Sequence, residues 1–330
     1  MPSPGPGVVT QVADLNSAGT TAYEMLARYA LRPALYFNAC ADVQPTNQSH
    51  PGSAVVFNIY DDIAPAVTPL TENVDVSAVA VTDDIVTVSL NEYGNAAITS
   101  AAARGWAYLP IDENVANVVG YNGGISFDSL ARNPLVAGTN VAFAGAATSR
   151  GTIVASDTLA ADDVREVSAR LEDAASQRVM NNYYKAFISP LVAVDLRAET
   201  GADKWRDPHT YSQPAEIWTG ETGAFESFSF IHTPRLSAPA LEAAQGGPGG
   251  FVDGGATTED VHPTLFLGQQ ALAKTFSRLV AGPMPNIILG SVTDHLRRFV
   301  PVGWYWNGGF GRFREASLWR VEAASSIGAN

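Results

Sequence analysis

Cysteine and lysine are nearly missing from this 330-residue chain. Cys40 is the single cysteine, which excludes intrachain disulfides and cysteine-based zinc sites. Three lysines occur, Lys185, Lys204 and Lys274. The other bases are arginines, whose planar guanidinium suits bidentate pairing at interfaces; genome composition would produce the same bias. Basic charge is itself short: 33 acids face 20 bases, a formal net charge of -13. A nucleic-acid binder working through a broad basic surface is therefore excluded, because such binding neutralises phosphates with Lys and Arg. A protein that only encloses nucleic acid is not. No stretch approaches the roughly 18 apolar residues of a membrane helix. The opening MPSPGPGVVTQVADL has neither the basic nor the apolar region of a signal peptide. The expectation is a soluble chain made inside a cell, where a reducing compartment fits the lone cysteine. No internal repeat at a solenoid period is present.

Hydrophobic residues make up 46% and charged residues 16%. That permits a sizeable core and one large or two ordinary domains. Pro2, Pro4, Pro6, Gly5 and Gly7 mark an extended arm, and a short helix over 20–33 follows, ended by Pro33. Ser53 to Asp62 and Val81 to Ser100 read as strands. In the second, Val86, Val88 and Leu90 alternate with Thr87 and Ser89, while Asp83, Asp84, Asn91 and Glu92 flank a narrow apolar face. The connector IAPAVTPLTENVD is too long for a tight hairpin turn. An isolated two-stranded ribbon is only marginally stable in water, so something else must bury it.

Residues 111–135 read as a long helix, distorted near Gly120, Gly123 and Gly124, since each glycine costs about 1 kcal/mol there relative to Ala. Short strands are expected at 141–143 and 151–155. Val164, Val167, Leu171 and Ala174 recur at helical spacing, which predicts a helix over 161–179 with Asp162 and Asp163 in its first turn. Strands are expected over AFISPLVAVDL and EIWTGETGAFESFSFIHTP, a flexible glycine-rich loop at 241–258, and a helix over TLFLGQQALAKTFSRLV. After a mobile or polar stretch at 294–298, FVPVGWYWNGG and FREASLWRVEAASS suit a closing hairpin that turns at Asn307 to Gly309.

Candidate chemistry is thin. Adjacent acids occur at Asp61/Asp62, Asp83/Asp84 and Asp162/Asp163. Neighbours on a strand point to opposite faces and cannot share a proton, and the pair at the helix start is explained by capping. His50, His209, His232, His262 and His295 lack any metal-ligand spacing. No GxSxG elbow is present. GGPGGFVDGG lacks the Lys-Ser/Thr of a phosphate loop, and VDGG lacks the spaced acids of a calcium loop. Trp106, Trp205, Trp218, Trp304, Trp306 and Trp319 invite a stacking role for sugars or bases, but core and interface anchoring is the simpler reading. No catalytic, cofactor-binding or metal-binding residue is assigned.

Several segments, in order, resemble the major capsid proteins of tailed phages with the Hong Kong 97-type fold. They are TPLTENVDVSAVAVTDDIVTVSLNEYGNAAITS, FDSLARNPLVAGTNV, LAADDVREVSARLEDA, YYKAFISPLVAVDLRAETGADKW, EIWTGETGAFESFSFIHTPRL, FLGQQALAKTF and VGWYWNGGFGRFREASLWRVEAASS. The resemblance implies an α+β fold: an N-terminal arm at 1–50, an extended two-stranded loop at 51–100, a peripheral domain at 101–140 and 291–330 with a spine helix, and an axial domain at 141–290. It implies a structural, non-enzymatic protein, without cofactors, that self-assembles into pentamers and hexamers of an icosahedral head. The extended loop would lie across a neighbouring copy. The head would enclose double-stranded DNA without sequence-specific binding, be assembled in the bacterial host cytoplasm, and become the virion capsid. A separate scaffolding protein, or a segment already removed, is expected, with a portal and, where the shell needs one, a decoration protein; no membrane is involved. The Lys–Asn isopeptide lock of some relatives is chemically impossible from this loop, because no lysine precedes residue 185. An encapsulin-like compartment and an intracellular enzyme are the competing readings.

Overall fold

In the computed structural model, which describes residues 36–43, 54–60, 62–106, 111–179, 183–199, 221–236, 260–277, 282–289 and 298–327, two sheets carry most of the buried apolar surface. The helix expected over 20–33, most of the arm, the glycine-rich loop at 241–258 and most of the stretch at 294–298 lie outside those residues. The larger sheet has six strands in the order β5 (Val141–Phe143), β13 (Leu318–Ala323), β9 (His262–Leu267), β6 (Tyr184–Ile188), β8 (Phe228–His232) and β7 (Glu221–Phe225). Helices α3 (Ala161–Asp173) and α4 (Pro190–Ala198) cover it. Val164, Val167, Leu171, Val192 and Leu196 meet Phe228, Phe230 and Phe266 in one core. Phe228 and Phe266 stand edge to face with ring centroids 4.7 Å apart.

The second sheet orders β1 (Asp42–Val43), β10 (Leu272–Phe276), β12 (Phe299–Arg312) and β11 (Asn286–Leu289), with β4 (Asn91–Ser100) also paired to β12. A short helix α1 (Ala101–Trp106) follows β4, and the long helix α2 (Ile111–Val136) packs on the sheet, placing Val119 and Phe127 against Phe276, Val302, Trp304 and Trp306. A separate ribbon pairs β2 (Ala54–Tyr60) with β3 (Asp83–Ser89). Chain segments cross between the two sheets. The C-terminal β13 joins strands drawn from 141–267, and β10 joins the sheet under α2.

The differences from the sequence reading have local causes. The strand expected over 81–100 is two strands, β3 and β4, which break at Leu90 and belong to different sheets. Residues 151–155 are not a strand; Arg150–Thr152 form a 3-10 turn, closed by Thr152 Oγ1 donating to Ser149 O at 2.8 Å. Helix α3 stops at Asp173 rather than 179. Ser176 N donates to Leu171 O and Ala175 N to Glu172 O, with Ala175 left-handed at φ 51°. This is a Schellman end with alanine where glycine usually signals it. SPLVAVDL is α4 rather than strand, with Ser189 at the N-cap and Pro190 at the first helical position, both ordinary start signals. TLFLGQQALAKTF is β9 and β10 rather than a helix. Both strands are buried along their whole length, so the alternation that identifies a half-exposed strand is missing. The tail is not a hairpin, since β12 and β13 lie in different sheets and Asn307 to Gly309 sit inside β12.

Helix α2 continues through Gly120, Gly123 and Gly124 without a break. The glycine at 123 serves close approach. A Cβ there would stand 3.0 Å from Trp304 Cγ, whereas one at Gly120 would stand at an ordinary 3.4 Å from Ile287 Cδ1. The indole ring lies where a side chain would otherwise be. Gly123→Ala should therefore lower stability by about 1–3 kcal/mol through overpacking, while Gly120→Ala should recover part of the roughly 1 kcal/mol helix penalty. Thermal unfolding midpoints of the two variants moving in opposite directions is the expected result.

Candidate assembly surface

The β2–β3 ribbon has two unequal faces. In the antiparallel register Val55 pairs with Val88 and Phe57 with Val86. Val88 is buried, and the Phe57 ring stands edge-on to Phe313 at 5.9 Å. Gly309 lets β12 come this close, because a Cβ there would fall 2.1 Å from Ser89 O. The base of the ribbon is thus seated on its own chain. The opposite face shows Val56, Ile85 and Tyr60 to solvent.

Beyond the strands, residues 62–82 join none of the sheets. Val67 is 85% exposed, Leu70 77% and Val79 68%, and Ile63, Val74, Val76 and Val81 are each more than half exposed. The loop's charged side chains, Asp62, Glu72 and Asp75, are all acidic. Soluble monomers rarely leave so long an apolar run in water. Burying one such side chain is worth about 1.5–3 kcal/mol, before the cost of ordering the loop is subtracted. Its own chain leaves that gain unused.

A buried charge cluster stiffens the body that carries this loop. On α2, Asp128 accepts from the amides of Phe37 at 2.8 Å and Asn38 at 3.3 Å. Its other oxygen lies 3.2 Å from Arg235 Nε, with both side chains almost fully buried. Arg235 also donates to Ile125 O at 3.0 Å and Ser129 Oγ at 2.7 Å, and Arg132 donates to Arg235 O at 2.7 Å. Burial pushes the Asp128 carboxyl up from its ordinary value, and Arg235 opposes that rise. Nearby, Lys274 Nζ donates to Asn38 Oδ1 at 3.0 Å and lies 4.6 Å from the Phe127 ring centre. Burial lowers its pKa to about 8. The cluster pins the segment at 36–43 and the 3-10 turn Pro234–Leu236 onto one helix.

The residues singled out from the sequence are dispersed. Asp83 and Asp84 are exposed on β3, and Asp62 is exposed in the loop; Asp61 lies outside the described residues. Asp163 caps α3, accepting from Ala160 N at 2.9 Å, and Asp162 pairs with Arg165 at 2.7 Å. His232 sits against Arg197, with ring nitrogens 3.1 and 3.3 Å from Nη2. Burial, then Arg197, lowers its pKa to about 4. His262 is lowered by burial as well. His50, His209, His295, Trp205 and Trp218 lie outside the described residues. Trp304 and Trp306 are core, Trp319 is stacked under Arg170, and Trp106 is 88% exposed. Burial raises the Cys40 thiol to about 11, so it is no poised nucleophile. No group of three or more His, Cys, Asp or Glu side chains that could hold a metal occurs among the described residues. Sequence reasoning missed the Asp128–Arg235 pair, because its members stand more than a hundred positions apart with no local signature.

Residues 32–327 match the model of a family described as phage capsid protein. Three solved structures share the architecture over nearly their whole lengths. The capsid of Ralstonia phage GP4 aligns with a TM-score of 0.74 and 14% identity, covering 96% of this chain and 98% of the other. The Cyanophage Pam1 capsid asymmetric unit aligns with 0.68 and 16%, covering 96% and 100%. The acidic stable capsid of Helicobacter pylori bacteriophage KHP30 aligns with 0.65 and 10%, covering 96% and 99%. At these identities the likeness establishes the fold. No curated protein matches at a significant level.

Two outcomes follow for the body beneath the loop. Asp128→Ala strands Arg235 as a buried unpaired charge, so stability should fall by about 3–5 kcal/mol, read from denaturant midpoints. For His232, the folded-state pKa of about 4 lies below the ordinary value of 6.5. Its contribution is therefore complete above pH 6.5 and is lost as pH falls toward 4. His232→Gln should flatten the stability profile across that window, measured by melting temperature against pH.

Proposed function

The chain belongs to the phage capsid protein family, whose model spans residues 32–327, and from that premise we propose how its parts build a head. It is a structural major capsid protein that forms an icosahedral shell from many copies and resides in the virion capsid. In the proposed assembly it works as pentamers and hexamers. Residues 1–50 form the arm and 51–100 the extended loop. Residues 101–140 and 291–330 form the peripheral domain around α2, and 141–290 form the axial domain, with β13 and β10 exchanged between the two sheets. The observation that carries this reading is the run of seven exposed aliphatic residues from Ile63 to Val81. A neighbouring copy is what buries them.

The protein's role is mechanical, and we assign it no catalytic residue and no cofactor. The head encloses double-stranded DNA, and the net charge of -13 suits a container that does not adsorb its cargo. A separate scaffolding protein, or a segment already removed, serves assembly in the bacterial host cytoplasm. A portal and, where the shell needs one, a decoration protein complete the proposed set of partners.

The test charges the loop. Val67→Asp with Leu70→Asp should leave circular dichroism of the unassembled chain unchanged. The concentration needed to form shells should rise by at least about tenfold, the equivalent of 1.4 kcal/mol, followed by sedimentation and electron microscopy. Shells forming at the wild-type concentration would overturn the role given to the loop. Purified wild-type particles that hold protein cargo instead of DNA would point to an encapsulin-like compartment.

A further inference from the structure

One strand edge in the sheet under α2 is open. β11 pairs with Val302 to Tyr305 of β12 on one side, and its other side carries no strand among the described residues. It is also apolar: Ile287 is 58% and Ile288 48% exposed. Exposed apolar edges are what proteins ordinarily blunt with charge, proline or cover. Consecutive strand residues point to opposite faces, and here each face borders a cavity. Ile287 borders one of about 330 Å³, walled by Gly120, Gly123, Phe127, Met284 and Trp304. Ile288 borders another of about 340 Å³, walled by Gly94, Ala96, Pro301 and Gly303. An edge flanked by pockets on both faces has the form of a strand-addition site, where main-chain bonds give affinity and alternate side chains fill the pockets.

The same chain holds a strand without a sheet. Residues 74–81, VDVSAVAV, are half valine, a composition that favours strands, yet they join no sheet. In extended form Val74 and Val76 point to one face, and Val79 and Val81 to the other. All four are more than half exposed. A strand apolar on both faces therefore matches an edge with apolar cavities on both faces. Charge agrees: Glu72 precedes the donor segment and Asp75 lies within it, and exposed Arg298 stands just before β12, beyond the pair Leu289–Val302.

We propose that residues 74–81 of one copy add as an additional strand to the open edge of β11 in a second copy, seating valines in the two cavities. This rests on the capsid reading and names the receptor for its extended loop. Donor and receptor are different surfaces of one chain, so the contact is head-to-tail, and such contacts close into rings when the rotation permits. A second copy is the occupant because donor and receptor both lack a strand partner among the described residues of every copy and therefore occur in equal number.

Hydrogen–deuterium exchange on the wild-type protein, shells against unassembled chains, tests this directly. Amides of 286–289 and of 74–81 should both exchange at least about tenfold more slowly in shells. Val76→Cys combined with Ile288→Cys should, on oxidation of shells, give chains linked into multimers, while each single variant gives none. Shells in which either segment exchanges as fast as in the free chain overturn the inference and leave the capsid reading standing. Cross-links from either cysteine to a different protein overturn it too. If the wild-type chain forms no shells during infection, the capsid reading falls and takes this inference with it.

Discussion

An aliphatic segment that its own chain leaves in water sets the terms for the whole structure. A valine-rich strand needs hydrogen-bond partners along its edge and apolar cover on its faces, and residues 62–82 have neither sheet nor core. The hydrophobic effect does not care which molecule supplies the cover. In the proposed assembly a copy of the same chain supplies it, and assembly would continue until every such segment is housed. Many modest burials suffice, because each is repeated at every subunit.

A projecting loop transmits load only if its root is rigid. The root here is secured by close backbone approach rather than by size: Gly309 lets Ser89 lie directly on β12, and Phe57 braces against Phe313. Behind it, Asp128 and Arg235 fasten two distant segments to α2. A buried ion pair adds little net stability over an apolar replacement, but it strongly resists losing one partner. It also specifies which segments may sit there, since only a matched charge with satisfied hydrogen bonds is tolerated at that depth. Gly123 of α2 acts in the same way. It leaves a shape that Trp304 fills, and so locks helix to sheet.

Much of the layout was legible in the residues. The ribbon, its long connector, its need for outside cover and the long central helix all follow from periodicity and turn chemistry. The helix start at Ser189–Pro190 was equally legible but was overridden by the apolar run around it. The rest was hidden for physical reasons. Strands β9 and β10 are buried on both faces, so they carry no alternation to separate them from a helix. The end of α3 uses Ala175 in a left-handed conformation that composition does not announce. The Asn307 to Gly309 stretch resembles a turn in any local window, and only its pairing with β4 and β10, with β3 arriving at Gly309, explains why it stays extended.

Composition alone settled what this chain's chemistry is not: one cysteine and no lysine before residue 185 rule out disulfide bonding within the chain and a lysine-based lock from the loop. Local pattern indicated a two-stranded ribbon with a narrow apolar face; the structure seats its base on β12 and places β4 in the sheet under α2. Only the tertiary structure decided that β12 and β13 part into different sheets, that Asp128 meets Arg235, and that β11 keeps an open edge between two cavities. The division has one cause. Side-chain periodicity is written in neighbouring residues, whereas pairing and burial depend on which distant segments arrive at the same place.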